Sequence, residues 1–335
     1  MTSRPGAHIL APAGPRLTAD EAAFFREAAP FGFILFARNV ETPDQVRALT
    51  AALRDSVGRD APVLIDQEGG RVQRLRAPHW REWEPPLNQV EADGRPRAMY
   101  LRGLLIGAEL AALGIDANCA PSADIAFSET HPFLQNRCYG RDAATVTAMA
   151  REMANGLLDA GVLPVVKHAP GHGRATLDSH FGLPTVEAPL EDLTATDFAP
   201  FRALTDLPMA MTAHLVVTAL DPDRPVTLSP VAMAHLRREI GLDMLMMTDD
   251  ISMGALSGSM AERSRRAIAA GCDLVLHCNG DMTEMEAVAA HAGRLSDDGQ
   301  RRADAALAMR RTPLNIDIPA AEAELGPLIR ETAYA

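Results

Sequence analysis

Paired cysteines, a net positive charge, long apolar runs and glycine fingerprints are all missing from this chain, and each absence removes a class of function. Its four cysteines, Cys119, Cys138, Cys272 and Cys278, form no CxxC pair, so no zinc-ribbon or dithiol redox motif is present. Three lie in or beside apolar strand-like stretches and read as reduced, partly buried thiols. Lys and Arg number 32 against 44 Asp and Glu, a net charge of -12 with a pI near 5.3. Such a surface repels phosphate backbones and anionic lipid, so nucleic-acid and membrane partners are not expected. The N-terminal residues Met1 to His8 lack the apolar core of a secretory signal, and no stretch is long enough to span a bilayer. A cytoplasmic location is expected. No repeat, low-complexity tract or Gly/Ser/Pro linker divides the chain, so residues 1–335 are read as one domain.

What is there is alternation. Short apolar segments at His8–Ala11, Phe33–Phe36, Pro62–Asp66, Ile115–Ala117, Leu163–Lys167, Pro208–Thr212, Met244–Thr248 and Asp273–His277 are separated by longer amphipathic ones. Several are apolar at successive positions, as when both strand faces are covered. Thr18 and Glu21 have capping-box spacing and predict the start of the first helix. The stretch Ala77–Pro86 reads as a long loop. A doubly wound open sheet competes, but Ala11-Pro12-Ala13-Gly14-Pro15 is a poor glycine fingerprint. The expected fold is α/β, a single (β/α)8 TIM-like barrel, because Asp66-Gln67-Glu68, Lys167-His168, His214, Asp249-Asp250 and His277 all fall at strand C-terminal ends. In such a barrel those ends converge on one catalytic face.

Three segments carry the chemistry. In Val166 to His180 a strand gives way to a glycine-flanked loop. If Asp178 and His180 are locally extended, their side chains share one side of the backbone. The carboxylate then orients the imidazole and raises its basicity, as a proton-transfer residue requires. A zinc site built from His168, His172, Asp178 and His180 is the competing reading, opposed by the adjacent Lys167 and by spacing that matches no metal signature. In Met246 to Ala255 an apolar strand stops in two carboxylates. One can attack an anomeric carbon to form a covalent glycosyl-enzyme, or the pair can cap the next helix. In Ile65 to Arg74, Asp66 can accept from vicinal sugar hydroxyls and Arg74 can donate to ring substituents. Structural salt bridges are the alternative for Arg71, Arg74 and Arg137.

Together these segments resemble glycoside hydrolase family 3, and within it the compact bacterial β-N-acetylhexosaminidases of the NagZ type. The resemblance rests on Gly32 to Asn39, Asp66 to Arg74, Asn136 to Asp142, Lys167 to His180 and Thr248 to Ala255, in order along the chain. The Asp178-Ser179-His180 triplet separates N-acetylglucosaminidases from the β-glucosidases of that family. The resemblance implies Asp249 as nucleophile, His180 as acid/base oriented by Asp178, and Asp66, Arg74, Arg137, Lys167 and His168 as the sugar-binding set. It also implies a substrate with N-acetylglucosamine linked β-1,4 to anhydro-N-acetylmuramic acid, as in cytosolic muropeptides, for which Lys167, Arg74 and Arg137 would supply local positive charge. Phosphorolysis is a variant, since a neutral imidazole base does not repel phosphate. No cofactor and no metal are implied, and a monomer is expected. Ala169 departs from the family's usual aromatic residue, and Cys138-Tyr139 from a common Ser-Phe; both concern loop packing.

Overall fold

A computed structural model describes residues 4–330. Eight parallel strands close into a barrel: β1 (Gly6–Leu10), β2 (Pro30–Leu35), β3 (Val63–Ile65), β4 (Ala117–Asn118), β5 (Leu163–Ala169), β6 (Met209–Thr212), β7 (Leu245–Asp250) and β8 (Leu274–His277). Neighbours follow sequence order and β1 pairs with β8, so the open sheet is ruled out. The strands are apolar at consecutive positions because helices cover one face and barrel filling covers the other: Val63, Leu64, Ile65, Leu245, Met246 and Met247 have no exposed surface. All eight expected strands are present, with displaced ends. The change that matters is at β7, which runs through Asp249 and Asp250 instead of stopping before them.

The helices begin where local chemistry directs. Thr18 Oγ1 accepts from the Glu21 N–H (3.2 Å) while a Glu21 carboxylate oxygen accepts from the Thr18 N–H (3.0 Å), the reciprocal cap expected for Ala19–Ala28. At the barrel's N-terminal end two aspartates tie strands to the outer shell. Asp116 accepts from the Val63 N–H (2.9 Å) and pairs with Arg54 and Arg310. Asp273 accepts from the Met246 N–H (2.9 Å) and pairs with Arg237 and Arg302. That end is built for stability, which leaves the opposite end for chemistry.

Past β3 the chain forms a hairpin of Gln67–Gly69 against Val72–Gln73 and then the expected irregular stretch, until Pro86 opens the helix Pro86–Asp93. The helix Ile318–Arg330 docks beside it through buried Ala321 and Leu325. All four cysteines are free and buried, Cys119 and Cys138 completely. No helix among the described residues is long and apolar enough to cross a membrane.

Candidate active site

At the C-terminal ends of the strands lies an open cavity of roughly 200 Å3, lined by Asp66, Arg74, Arg137, Lys167, His168, His180 and Asp249 together with Phe36, Arg71, Phe133 and His172. Every expected catalytic and binding residue except Asp178 reaches the cavity, and Asp178 stands directly behind His180.

Its floor is an ion network. Lys167, on β5, reaches Asp66 (2.9 Å) and Glu68 (2.6 Å); Arg74 holds the other Asp66 oxygen (3.0 Å), and Arg137 grips Glu68 through two nitrogens (2.8 and 2.9 Å). Burial alone would drive these acids neutral. The facing cations overcome it, holding Asp66 well below the usual carboxylate range and Glu68 down to about 2. Lys167 is moved the opposite way: burial favours its neutral form, but Asp66 and Glu68 raise its pKa above the ordinary value. Asp66 is therefore an ionised acceptor locked in place, suited to receive two sugar hydroxyls. The same pairing corrects an expectation, because Arg74, Arg137 and Lys167 are each tied to a carboxylate of the floor and are not an unpaired anion-attracting patch. The salt-bridge alternative is therefore realised at Arg74 and Arg137, which, like Lys167, also line the cavity, while Arg71 forms no ion pair among the described residues.

A second network sets His168. Fully buried Asp124 accepts from His168 Nδ1 (2.7 Å), the His172 N–H (2.7 Å) and Ser122 Oγ (3.0 Å), while His168 Nε2 lies 3.3 Å from Arg137. His172 is itself pushed down to about 4, by burial and by His168, and is neutral at pH 7. Sequence reasoning missed Asp124 and left Glu68 out of the site. The signal for Asp124 was present, a lone acid inside the apolar run Cys119 to Ala126.

Asp249 sits at the end of β7, where its Oδ1 accepts from the Asp250 N–H (2.8 Å). Burial opposes its charge, but His168, His214, that N–H and Lys167 together lower its pKa. Asp250 binds Ser252 through its hydroxyl (2.7 Å) and N–H (3.1 Å). It thus shapes the turn, and the next helix is capped by Ser259 instead. Two other strand-end histidines do not line the cavity: His214 binds Thr227 and the Asp250 carbonyl, and His277 binds Glu284.

The Asp178 to His180 segment is a turn, not the extended dipeptide expected. Asp178 Oδ1 accepts from both the His180 N–H (3.0 Å) and Nδ1 (2.7 Å), and the Asp178 carbonyl accepts from the Phe181 and Gly182 N–H groups. A side chain that binds the backbone two residues on favours such a turn over extension. The pairing survives because the turn brings Nδ1 back to the carboxylate. His180 keeps half its side chain exposed, with its ring edge on Phe133 at 4.7 Å between centroids. The loop is docked on the chain that follows Asp249, with Ala255 N–H to the Ser179 carbonyl (3.1 Å) and Gly254 N–H to the His180 carbonyl (3.3 Å). A Cβ at Gly254 would stand 2.7 Å from that carbonyl, so only glycine permits the approach. Among the described residues no three His, Cys, Asp or Glu side chains are arranged to hold a metal ion.

A family model described as the glycosyl hydrolase family 3 N terminal domain matches residues 12–307. This chain belongs to glycoside hydrolase family 3. Within the family it is 38% identical over 305 residues to a beta-hexosaminidase of Methylococcus capsulatus, covering 89% of this chain and 90% of that one. A beta-hexosaminidase of Pseudomonas aeruginosa is 36% identical over 292 residues, covering 85% and 86%. Among solved structures, native NagZ from Neisseria gonorrhoeae superposes with a TM-score of 0.82 at 30% identity, covering 97% of this chain and 98% of that chain. A family 3 beta-N-acetylglucosaminidase from Paenibacillus sp. str. FPU-7 gives 0.87 at 31% identity, covering 96% and 67%. The two departures from the family's usual residues are accommodated in the core: Ala169, Cys138 and Tyr139 have no exposed surface.

Proposed function

We propose that this family 3 β-N-acetylhexosaminidase is a retaining enzyme that removes terminal β-linked N-acetylglucosamine from cytosolic peptidoglycan fragments, N-acetylglucosamine-β-1,4-anhydro-N-acetylmuramoyl peptides, during cell wall recycling. The observation that carries the reading is that ionised Asp249 and the Asp178-bound His180 open onto one cavity floored by the Asp66, Arg74 and Lys167 network. Asp249 attacks the anomeric carbon while His180, as imidazolium, gives its proton to the departing oxygen. The neutral imidazole then takes a proton from water, which attacks the same carbon and releases Asp249. Asp66 and its cations, with Arg137 and His168, hold the sugar for both steps. The beta-hexosaminidases and NagZ structures to which the chain is similar support the same reading.

The test is to replace Asp249 with Ala and assay an aryl β-N-acetylglucosaminide: turnover disappears. A glycosyl adduct accumulated on a His180→Ala enzyme should map by mass spectrometry to the peptide bearing Asp249. Near-normal turnover in the Asp249 variant would defeat the assignment. Activity should also survive chelation; loss on chelation with return on adding zinc would favour a metal-dependent hydrolase.

A second reading, transfer of the sugar to phosphate, is favoured by one feature. The half-exposed base is an imidazole, which carries no negative charge to repel an incoming anion. Formation of the sugar 1-phosphate in phosphate buffer separates the two outcomes.

A further inference from the structure

One cation at the cavity mouth has no task in the scheme above. Arg74, Arg137 and Lys167 each hold a carboxylate of the floor. Arg71 lines the same cavity and is exposed, yet among the described residues it makes no hydrogen bond and no ion pair. Its guanidinium lies over the Phe133 ring, 4.0 Å from the centroid. The ring edge of His180 packs on that phenyl group as well. Arg137 also lies over this ring at 5.2 Å, but it is buried and bound to Glu68, so the exposed groups that Phe133 supports are the unpaired Arg71 and the proposed proton donor.

Position and chemistry narrow what Arg71 meets. A proton donor stands at the leaving-group oxygen, so an exposed cation packed with half-exposed His180 on one ring lies on the leaving-group side, above the buried floor where Asp66 holds the sugar. A guanidinium offers a planar fork of donors that matches a carboxylate in a bidentate pair. Stacking on an aromatic ring restricts the side chain beforehand, so less freedom is lost when a partner arrives. The overall charge of -12 repels anions at long range; an acidic leaving group needs a local unpaired cation, and Arg71 is the cavity-lining one that remains.

We propose that Arg71, backed by Phe133, is the carboxylate-binding element of the leaving-group subsite and selects aglycones that carry an acid next to the scissile bond. This inference rests on the glycosidase reading and deepens it by naming a specificity determinant for fragments whose lactyl carboxyl is free, since in the muramoyl peptides that carboxyl is an amide.

The experiment compares kcat/KM for N-acetylglucosaminyl-β-1,4-muramic acid with that for its methyl ester, in the wild type, Arg71→Met and Arg71→Lys. An aryl β-N-acetylglucosaminide with a neutral leaving group reports the chemistry separately. The wild type should prefer the acid. Arg71→Met should lower the acid-to-ester ratio about ten- to a hundredfold, the range for a hydrogen bond to a charged group, Arg71→Lys should restore part of it, and salt should erode it. A wild type indifferent to the ester, or equal losses on acid and ester in Arg71→Met, overturns the subsite. A flat ratio accompanied by Arg71-dependent transfer to inorganic phosphate overturns it too, by assigning Arg71 to the acceptor anion. A wild type inactive on the neutral aryl glycoside as well sinks the glycosidase reading itself, and the subsite with it.

Discussion

Asp178 holds His180 twice through one oxygen, accepting from the ring Nδ1 at 2.7 Å and from the backbone N–H at 3.0 Å. The carboxylate is kept ionised: burial works against its charge, but the two His180 bonds lower its pKa. It therefore fixes the proton on Nδ1, stabilises the imidazolium, and leaves Nε2 for a substrate oxygen. Asp178→Asn keeps an acceptor oxygen at the same place and removes only the charge. It should lower kcat by about a hundredfold or more with KM little changed. Steady-state kinetics on an aryl glycoside decide, and a kcat near wild type would show that geometry without charge suffices.

Removal of the imidazole should separate the two half-reactions. In His180→Ala, kcat/KM reports formation of the glycosyl-enzyme, which needs proton donation only when the leaving group is poor. That parameter should fall about 10²–10⁴-fold for an alkyl or sugar leaving group and far less for an activated nitrophenol. Hydrolysis of the intermediate still needs a base, so kcat should drop for every substrate and a pre-steady-state burst should appear. Losses in kcat/KM that do not depend on the leaving group would remove His180 from the acid role.

Asp124 ties His168 to the start of the His180 loop by accepting from His168 Nδ1 and the His172 N–H, both at 2.7 Å. In Asp124→Asn one oxygen becomes a donor, and His168 loses its fixed orientation. The expected result is a rise in KM of roughly tenfold with a smaller effect on kcat, since His168 faces the sugar, and a loss of about 1–3 kcal/mol in stability from a buried unsatisfied donor. Denaturant unfolding alongside kinetics checks both; an unchanged KM in a folded variant would make Asp124 purely structural.

The barrel was legible because it depends on pattern: apolar strands at regular intervals with polar residues at one end of each. The cavity lining was legible because Asp66, Arg74, Lys167 and His168 are adjacent to strand ends, where closure of the sheet brings them together. The partnering was not. That Glu68 is shared between Lys167 and Arg137, and that this ties up cations expected to attract an anionic substrate, depends on a barrel strand, a hairpin and a loop meeting. The reversal of Asp178 and His180 from extended to turned came from a side chain competing for its own backbone, a choice that residue spacing alone does not decide. Arg71 was indistinguishable from Arg74 in sequence; only the placement of the carboxylates leaves one paired and the other not.

The shared carboxylate also fixes how the protein responds to acid. Glu68 is held at about 2 against an ordinary value of 4.5, because Arg137 and Lys167 outweigh the penalty of burial. A group whose pKa is depressed by folding releases its proton more readily in the native state, so its stabilisation is complete above pH 4.5 and disappears as pH falls toward 2. Asp66, Asp124 and Asp249 are shifted in the same direction and add to the trend. The urea midpoint should therefore be flat near neutrality and fall steeply below about pH 4.5. Glu68→Gln should start from a lower plateau, since Lys167 and Arg137 lose a charged acceptor, yet show a shallower slope between pH 4.5 and 2 because one of the titrating groups is gone. Activity follows the same electrostatics. Because His168, His214 and Lys167 lower the Asp249 pKa below its ordinary value, kcat/KM on an activated aryl glycoside, which needs the nucleophile but little proton donation, should show no acid limb above the ordinary carboxylate range. An acid limb centred above the ordinary carboxylate range, in enzyme that is still folded, would mean that the nucleophile titrates higher than its surroundings dictate.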